Sequence, residues 1–484
     1  MTAVNRVVVV GYGMAGARLA RELRARARDL RIIVFGAERY PAYNRVLLSS
    51  VLAGKADEGD IALAEPTSRV ELRTGVTVTA IDPADRTVTT DDGTVTRYDA
   101  LVLATGSRAW IPPVDGLDPA ALPEGVAVFR TLEDCRRILR AAEGARRAVV
   151  LGGGLLGLEA ARGLALRGLR VEVLHAMGHL MERQLDPGAS RVLTRTLRGL
   201  GVSVRLNALT EAVLCDQGRV RAVRLAGGEV VEADLLVVAC GVRPETALAE
   251  AAGLKVDRGV VVDDQLRTCD PAIYAIGDCA EHDGTVYGLV APAWEQARVV
   301  ADVITGADPR ARYAGSRVVT RLKATGVDLA AMGDTQVEED EEHEVLQFVD
   351  PTRGTYKKVV IRDDRLVGAI LLGENATVGT VTQLFDRSAP VPVDRRALLF
   401  ADLRGQAART VESPVQIPDR TTICQCNSVT KSAITKSWLA GARSVEDVIK
   451  ETRATTGCGG CRDTVEGIVE WLAASDPQTT GSCS

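Results

Sequence analysis

No apolar stretch of this chain reaches the eighteen or so residues that a bilayer-spanning helix needs, so no membrane segment is expected among its 484 residues. The apolar start, MTAVNRVVVVGYGMAG, sets four valines directly before glycines, the pattern of a buried strand and not of a signal-peptide hydrophobic region. A cytoplasmic protein is the expectation. Aromatic residues are scarce, at 4%, and no basic cluster is interleaved with them. With a formal net charge of −5, the electrostatic footprint of a nucleic-acid partner is missing. What is there is 46% hydrophobic and 25% charged, the balance of a globular protein and not of a disordered or fibrous one. The length exceeds one hydrophobic core, and about two to four domains are expected.

Ten cysteines in a cytoplasmic chain are expected to be buried, metal-binding or redox-active before they are disulfide-bonded. Cys135, Cys215, Cys240, Cys269, Cys279 and Cys483 are scattered singly and read as small buried or tail residues. The other four come in two close pairs, Cys424-x-Cys426 and Cys458-x-x-Cys461, with 31 residues between the pairs and a helical segment, SAITKSWLAGARSVEDVIKETRA, inside that gap. Four thiolates are what a [2Fe-2S] cluster needs, and a tetrahedral zinc site needs the same number. Gly457, Gly459 and Gly460 flank the second pair and leave backbone N–H groups free to bond cluster sulfides, which favours iron-sulfur; zinc stays open.

The first 300 residues carry a different chemistry. RVVVVGYGMAGARLARELRARARDLRIIVFGAE reads as strand, glycine turn, helix, strand, with Gly11, Gly13 and Gly16 in G-x-G-x-x-G spacing and the acidic Glu38 at the end of the second strand. Such a turn lets backbone approach a pyrophosphate at a helix N-terminus, and Glu38 is placed to accept a ribose hydroxyl. RAVVLGGGLLGLEAARGLALRGLRVEVLHA repeats the pattern with Gly152, Gly154 and Gly157, and its second strand ends at His175. Two such units about 140 residues apart imply one dinucleotide held permanently and one exchanging, the logic of a flavoprotein reductase. An acid at the His175 position would repel the 2′-phosphate of NADPH. Histidine does not, and a protonated ring would attract it, so the reading leans to NADPH; a neutral histidine without a role is the alternative. YDALVLATGSRAWIPP brings Ala104, Thr105 and Gly106 to a strand end beside the first dinucleotide. TCDPAIYAIGDCAE ends a strand at Gly277 and Asp278, which suits a carboxylate on the ribityl chain of FAD.

PAYNRVLLSSVLAG, GGGLLGLEAA, ACGVRP, TCDPAIYAIGDCA, YGLVAPAWEQA and LKATGVDLAAMGD resemble the FAD/NAD(P)H portion of the large subunit of bacterial assimilatory nitrite reductase, and equally the electron-transfer subunit of assimilatory nitrate reductase. The resemblance runs from residue 5 to about residue 473. It implies Arg45 near the FAD pyrophosphate, Asp278 on the ribityl chain, Glu159 beside flavin and nicotinamide, and Lys323 approaching the flavin side of the site. Related ferredoxin and rubredoxin reductases have lysine where this chain has Ser50. Disulfide reductases carry a C-x4-C pair in this region, whereas residues 39–60 hold no cysteine; the second dinucleotide unit has no C-x-x-C either, which disfavours a dithiol mechanism. The terminal cysteine pattern resembles the bacterioferritin-associated ferredoxin domain that this group carries at the same place.

The expected fold is therefore α/β: two Rossmann-like dinucleotide-binding domains, for FAD and NAD(P)H, a third α+β domain, and a small C-terminal helical [2Fe-2S] domain resembling bacterioferritin-associated ferredoxin. Expected boundaries are 1–113 and 244–309 for the FAD domain, 114–243 for the NAD(P)H domain, 310–398 for the third domain, where TYKKVVIRDD and RLVGAILLG alternate as antiparallel strands, 399–420 for a linker and 421–475 for the cluster domain. VEEDEEHEV, residues 337–345, reads as a solvated acidic loop. A nicotinamide gives up two electrons together and an iron-sulfur cluster takes one at a time, so FAD is the expected converter. Nitrite reductases of the group continue into a sirohaem region that is not seen before Ser484, so electrons are expected to pass to another protein, a molybdenum nitrate reductase catalytic subunit. Rival readings are a reductase for a separate sirohaem nitrite reductase or other redox partner, a zinc-stabilised dinucleotide sensor, and an NAD(P)H oxidase, which leaves the cluster domain unexplained.

Overall fold

The structure, a computed structural model, describes residues 4–64, 69–374, 376–400, 417–419, 421–424, 429–455 and 461–475. They gather in two compact units, one from the segments up to Ala145, Ala212–Val223 and Glu232–Ser316, the other from Arg146–Glu211, Arg224–Val231 and Arg317 onward.

The first unit is built on a five-stranded parallel sheet in the order Ile273–Ala275, Ala100–Leu103, Arg6–Val10, Arg31–Gly36, Val70–Thr74. Its inner strands are runs of valine, isoleucine and leucine without alternation, because helices cover such sheets and leave no polar face. Val7, Val8 and Val9 are fully buried, as are Leu101 and Val102. Helix Met14–Arg26 follows the first strand and packs against helix Val290–Thr305, with Arg26 Nε donating to Asp302 Oδ1 at 2.6 Å. A small antiparallel sheet, Val78–Asp82, Thr87–Thr90 and Val95–Arg97, is inserted before the Ala100–Leu103 strand. Helix Leu132–Ala142 starts at a capping box in which Thr131 and Asp134 satisfy each other's amides.

In the second unit, strands Arg147–Leu151, Arg170–Leu174 and Val202–Arg205 pair in parallel, with helices Leu155–Leu166 and Pro187–Gly199 in the crossovers. The alternation expected beyond residue 310 forms an antiparallel sheet in the order Val319–Leu322, Leu329–Gly333, Arg365–Leu372, Thr355–Arg362, Glu344–Asp350. Its tightest hairpin turns at Asp363 and Asp364, both with positive φ (51° and 57°), as a two-residue turn that follows the sheet twist demands. Helix Val378–Arg387 covers the Arg365–Leu372 strand. The acidic run opens as a loop in which Asp340 Oδ1 accepts the amides of Glu342 and His343, each at 2.8 Å, and then enters the strand Glu344–Asp350.

Most of the expected linker, residues 401–416, lies outside the described residues. Beyond it, strands Thr422–Cys424 and Val429–Thr430 lead into helices Lys431–Leu439, Val445–Thr452 and Arg462–Ser475. Ile434, Trp438, Val448, Val465 and Ile468 form their core, each 2% exposed or less. Each such side chain contributes about 1.5–3 kcal/mol, so a domain this small holds together on a handful of residues.

Candidate active site

In the first unit the glycine turn is packed by protein at two positions and open at the third. Gly11 has φ +111°, and a Cβ there would lie 2.1 Å from the Ala104 carbonyl oxygen; a Cβ on Gly16 would lie 1.9 Å from the Gly11 carbonyl oxygen. Around Gly13 the nearest atom to such a Cβ is Arg45 Nε, at 4.0 Å. Gly13 is also the N-cap of helix Met14–Arg26, which has no side-chain cap and no acid in its first turn. The helix N-terminus therefore keeps its unpaired N–H groups and positive end for a bound anion, with Arg45 alongside.

Glu38 lies two residues past the end of its strand, which stops at Gly36. Its Oε1 is ion-paired with Arg45 Nη2, and its Oε2 accepts from the Tyr43 hydroxyl at 2.8 Å. The carboxylate is therefore anchored, with further lone pairs still available to a ribose hydroxyl. Burial pushes the Tyr43 phenol well above its ordinary value, so it stays a donor; its oxygen accepts the Leu132 amide at 3.0 Å. Arg45 also sits over the Tyr43 ring at 5.1 Å and donates to the Arg130 carbonyl at 3.3 Å.

Thr105 donates to the Glu245 carbonyl at 2.7 Å, and Gly106 follows with φ +77°. Asp278 is not an isolated carboxylate. Its Oδ2 accepts from Ser107 Oγ at 2.8 Å and from Arg130 Nη2 at 2.6 Å, while Arg130 Nε donates to the Ser107 carbonyl at 3.2 Å. The Gly277 amide donates to Oε1 of Gln296, a side chain 1% exposed, at 2.7 Å. Tyr43, Ser107, Arg130 and Gln296 were not singled out by the sequence. Only Arg130 had a local signal, since it directly precedes the Thr131–Asp134 capping box.

In the second unit Gly152 repeats φ +111°, and its amide donates to Leu174 O at 2.9 Å as that of Gly11 does to Phe35 O at 2.8 Å. Gly154 caps helix Leu155–Leu166, and a Cβ on it would meet nothing within 4 Å; Gly157 lies buried in the helix. Gly153, unremarked in the sequence, is the tight position: its Cβ would lie 2.5 Å from Leu180 Cδ2 and 2.8 Å from His175 Cγ.

His175 stands beside the second glycine turn. The ring is 7% exposed, its Nδ1 accepts the Gly153 amide at 3.0 Å, and its Nε2 faces the His179 carbonyl at 3.0 Å and Glu182 Oε2 at 3.2 Å. The Gly153 amide can only donate and the His179 carbonyl can only accept, so the ring is held at both nitrogens. The imidazole fastens the glycine turn to the following loop.

Glu159 is buried on helix Leu155–Leu166, and its Oε1 accepts the backbone amide of Lys323 at 3.1 Å. Lys323 follows strand Val319–Leu322, so the two expected residues meet through main chain, with the lysine side chain half-buried. Asp186 ties the same layers together: it caps helix Pro187–Gly199 at the Ala189 amide (2.8 Å) and accepts the Tyr356 hydroxyl at 2.5 Å and Lys358 Nζ at 3.2 Å. Tyr356 and Lys358 are 1% and 5% exposed, so these partners satisfy groups that burial would otherwise penalise.

Cys424 closes its strand at 1% exposure and Cys461 stands at 9% before helix Arg462–Ser475, both in the hydrophobic core of the terminal domain. Cys426 and Cys458 lie outside the described residues, as do Gly457, Gly459, Gly460 and Cys483. Of the single cysteines, Cys135 and Cys279 are buried as expected, whereas Cys215 and Cys269 are exposed. Burial raises the Cys279 thiol and lifts that of Cys240 to about 11.

The sequence pattern of the pyridine nucleotide-disulphide oxidoreductases matches residues 5–297. The chain belongs to this family. Patterns of the rubredoxin NAD+ reductase C-terminal domain and of the BFD-like [2Fe-2S] binding domain match residues 319–388 and 422–471. The family member is 40% identical over 98% of its length to a nitrite reductase [NAD(P)H] of Bacillus subtilis (strain 168). It is 38% identical over 99% of its length to the assimilatory nitrate reductase electron transfer subunit of the same organism. It spans 58% and 62% of those two relatives. Among solved structures it is similar to putidaredoxin reductase in a covalent complex with putidaredoxin, with a TM-score of 0.74 at 27% identity, covering 84% of this chain and 100% of that one. The fold is thus a Rossmann-like α/β oxidoreductase that binds FAD and NAD(P)H, with a BFD-like [2Fe-2S]-binding domain at its C-terminal end. Among the described residues no helix is long and apolar enough to cross a membrane.

Proposed function

We propose that this chain carries electrons from NAD(P)H through FAD and a [2Fe-2S] cluster to the molybdenum-containing catalytic subunit of an assimilatory nitrate reductase in the cytoplasm. The observation that carries the reading is the union, in one chain, of two open glycine turns with a core that holds Cys424 and Cys461. FAD, when bound, exchanges electron pairs with nicotinamide and single electrons with a cluster.

The chain's own residues bind and position. Gly11, Gly13 and Gly16 shape the first turn, whose open side, with Arg45, takes the FAD pyrophosphate; Glu38 takes the ribose. Thr105 and Gly106 line the flavin's path, and Asp278, fixed at one oxygen by Ser107 and Arg130, presents the other to the ribityl chain beside Gly277. Gly152, Gly154 and Gly157 take the NAD(P)H pyrophosphate, and His175 holds their turn in shape. Glu159, braced by the Lys323 amide, would serve the nicotinamide, and Lys323 is its partner in the catalytic pair. Cys424, Cys426, Cys458 and Cys461 ligate the cluster. The two described thiols are nearly excluded from water, which suits thiolates bonded to iron and leaves them poorly placed as free nucleophiles.

The 40% identity to a nitrite reductase favours one second reading, a reductase that feeds a nitrite-reducing centre. Anaerobic titration of the purified protein with NADPH and then NADH, read by visible absorbance and low-temperature EPR, tests the relay. Flavin bleaching with a one-electron [2Fe-2S] signal is expected. Bleaching without that signal in iron-replete protein overturns the relay and leaves zinc. Reconstitution with the nitrate reductase subunit or with a sirohaem protein then separates the two acceptors by which product forms.

A further inference from the structure

The dinucleotide turn of the first unit lies at the carboxyl ends of its parallel strands, where open α/β sheets bind their ligands. At the amino ends of three of those strands is a cleft of about 540 Å³. Arg6 and Arg31 begin adjacent strands, Asp99 directly precedes a third, and Arg86 and Arg97 reach in from the small antiparallel sheet. A five-residue strand separates the two ends by roughly 17 Å, so this cleft is a different place from the flavin site.

Its charges are unbalanced. Four arginines and two aspartates, Asp85 and Asp99, line it. Asp99 Oδ2 is occupied by the amides of Asn5 (2.9 Å) and Arg6 (2.7 Å), and Arg31 pairs with Glu71 at 3.2 Å. Among the described residues, Arg86 and Arg97 form no ion pair. Two further polar groups on the lining are orphaned: the hydroxyl of Tyr98, a residue only 3% exposed, and Arg6 Nε are buried without a hydrogen-bond partner. Buried polar groups are rarely left unpaired, and two of them on residues that line one arginine-rich concavity mark the place of a ligand.

We propose that this cleft binds a small anion bearing a diphosphate, as a second ligand site separate from both dinucleotides. Arg86 and Arg97 supply planar forks that match phosphate oxygens, and Tyr98 supplies a neutral donor. Burial lifts the Tyr98 phenol to about 12, so it keeps its proton throughout the working pH range.

Isothermal titration of inorganic pyrophosphate into the FAD-loaded full chain at constant ionic strength tests the site, with sulfate as the comparison anion. One saturable site per chain is expected, at least tenfold tighter than sulfate. R86A/R97A should weaken it at least tenfold and Y98F severalfold, with flavin absorbance and NAD(P)H–ferricyanide turnover unchanged. Competition by ADP assigns the diphosphate to a nucleotide, and its absence to free pyrophosphate; the site stands in both cases. Pyrophosphate that binds no tighter than sulfate overturns the proposal. So does R86A/R97A protein that binds as the parent does, which would place the anion at a dinucleotide turn.

Discussion

Two glycines three residues apart make opposite predictions. Gly16→Ala puts a methyl 1.9 Å from the Gly11 carbonyl oxygen. A carbon–oxygen contact needs about 3.3 Å, so helix Met14–Arg26 or the turn must move by roughly 1.4 Å, the difference between the two. The obstacle is backbone on both sides, and overpacking of this kind lies at the upper end of its usual range, about 3 kcal/mol. The G16A protein should lose thermal stability in the apo form and bind FAD poorly. Gly13→Ala meets nothing closer than Arg45 Nε at 4.0 Å, and its φ of −85° and ψ of −163° suit alanine. Its apo fold should not be destabilised, and stabilisation of up to about 1 kcal/mol is expected. The added methyl nevertheless occupies the open side of the turn, so FAD affinity should fall by about ten- to a hundredfold, or roughly 1.4–2.8 kcal/mol. Apoprotein melting by circular dichroism and FAD titration by fluorescence quenching separate the two effects. G13A protein with parental FAD affinity, or G16A apoprotein that melts with the parent, refutes the assignment of ligand space to one glycine and packing to the other.

His175→Ala leaves the Gly153 amide buried and unpaired, which costs about 1–3 kcal/mol. The KM values for NADH and NADPH should rise together with their ratio kept; a switch of preference in steady-state kinetics would assign the ring a direct role at the 2′ position. Arg130→Ala frees Asp278 Oδ2 from its 2.6 Å partner, so FAD should dissociate several times faster in stopped-flow release while the apo fold persists; an unchanged off-rate counts against Asp278 as a flavin ligand. Ile434→Ala opens a cavity in the fully buried core of the terminal domain and should cost about 2–5 kcal/mol there, seen as selective loss of iron with flavin retained. At pH 8 a thiol raised to about 11, as at Cys240, is only about one-thousandth ionised, so iodoacetamide should modify it roughly two hundred times more slowly than an ordinary exposed thiol. Because burial raises this acid, its neutral form contributes stability below the unfolded thiol value, and that contribution is lost as pH rises toward 11.

The chain by itself determined what depends on neighbours in sequence. The valine strands, both glycine turns and the antiparallel hairpin of TYKKVVIRDD and RLVGAILLG are short patterns whose geometry follows from a few consecutive dihedral angles. Glycine is needed at Gly16 because its Cβ would meet the nearby Gly11 carbonyl, and the periodicity of the helices reports which faces are buried. Tertiary structure decided everything that rests on distant partners. Ser107 meets Asp278 across 171 positions, Arg130 meets it across 148, and Tyr356 meets Asp186 across 170; no local signal encodes such pairs, because loop closure brings them together only after the sheets have formed. His175 shows the difference most plainly. Its place beside a strand end was legible, but which way its two nitrogens face was not; the buried Gly153 amide, which must find an acceptor once water is excluded, decided that.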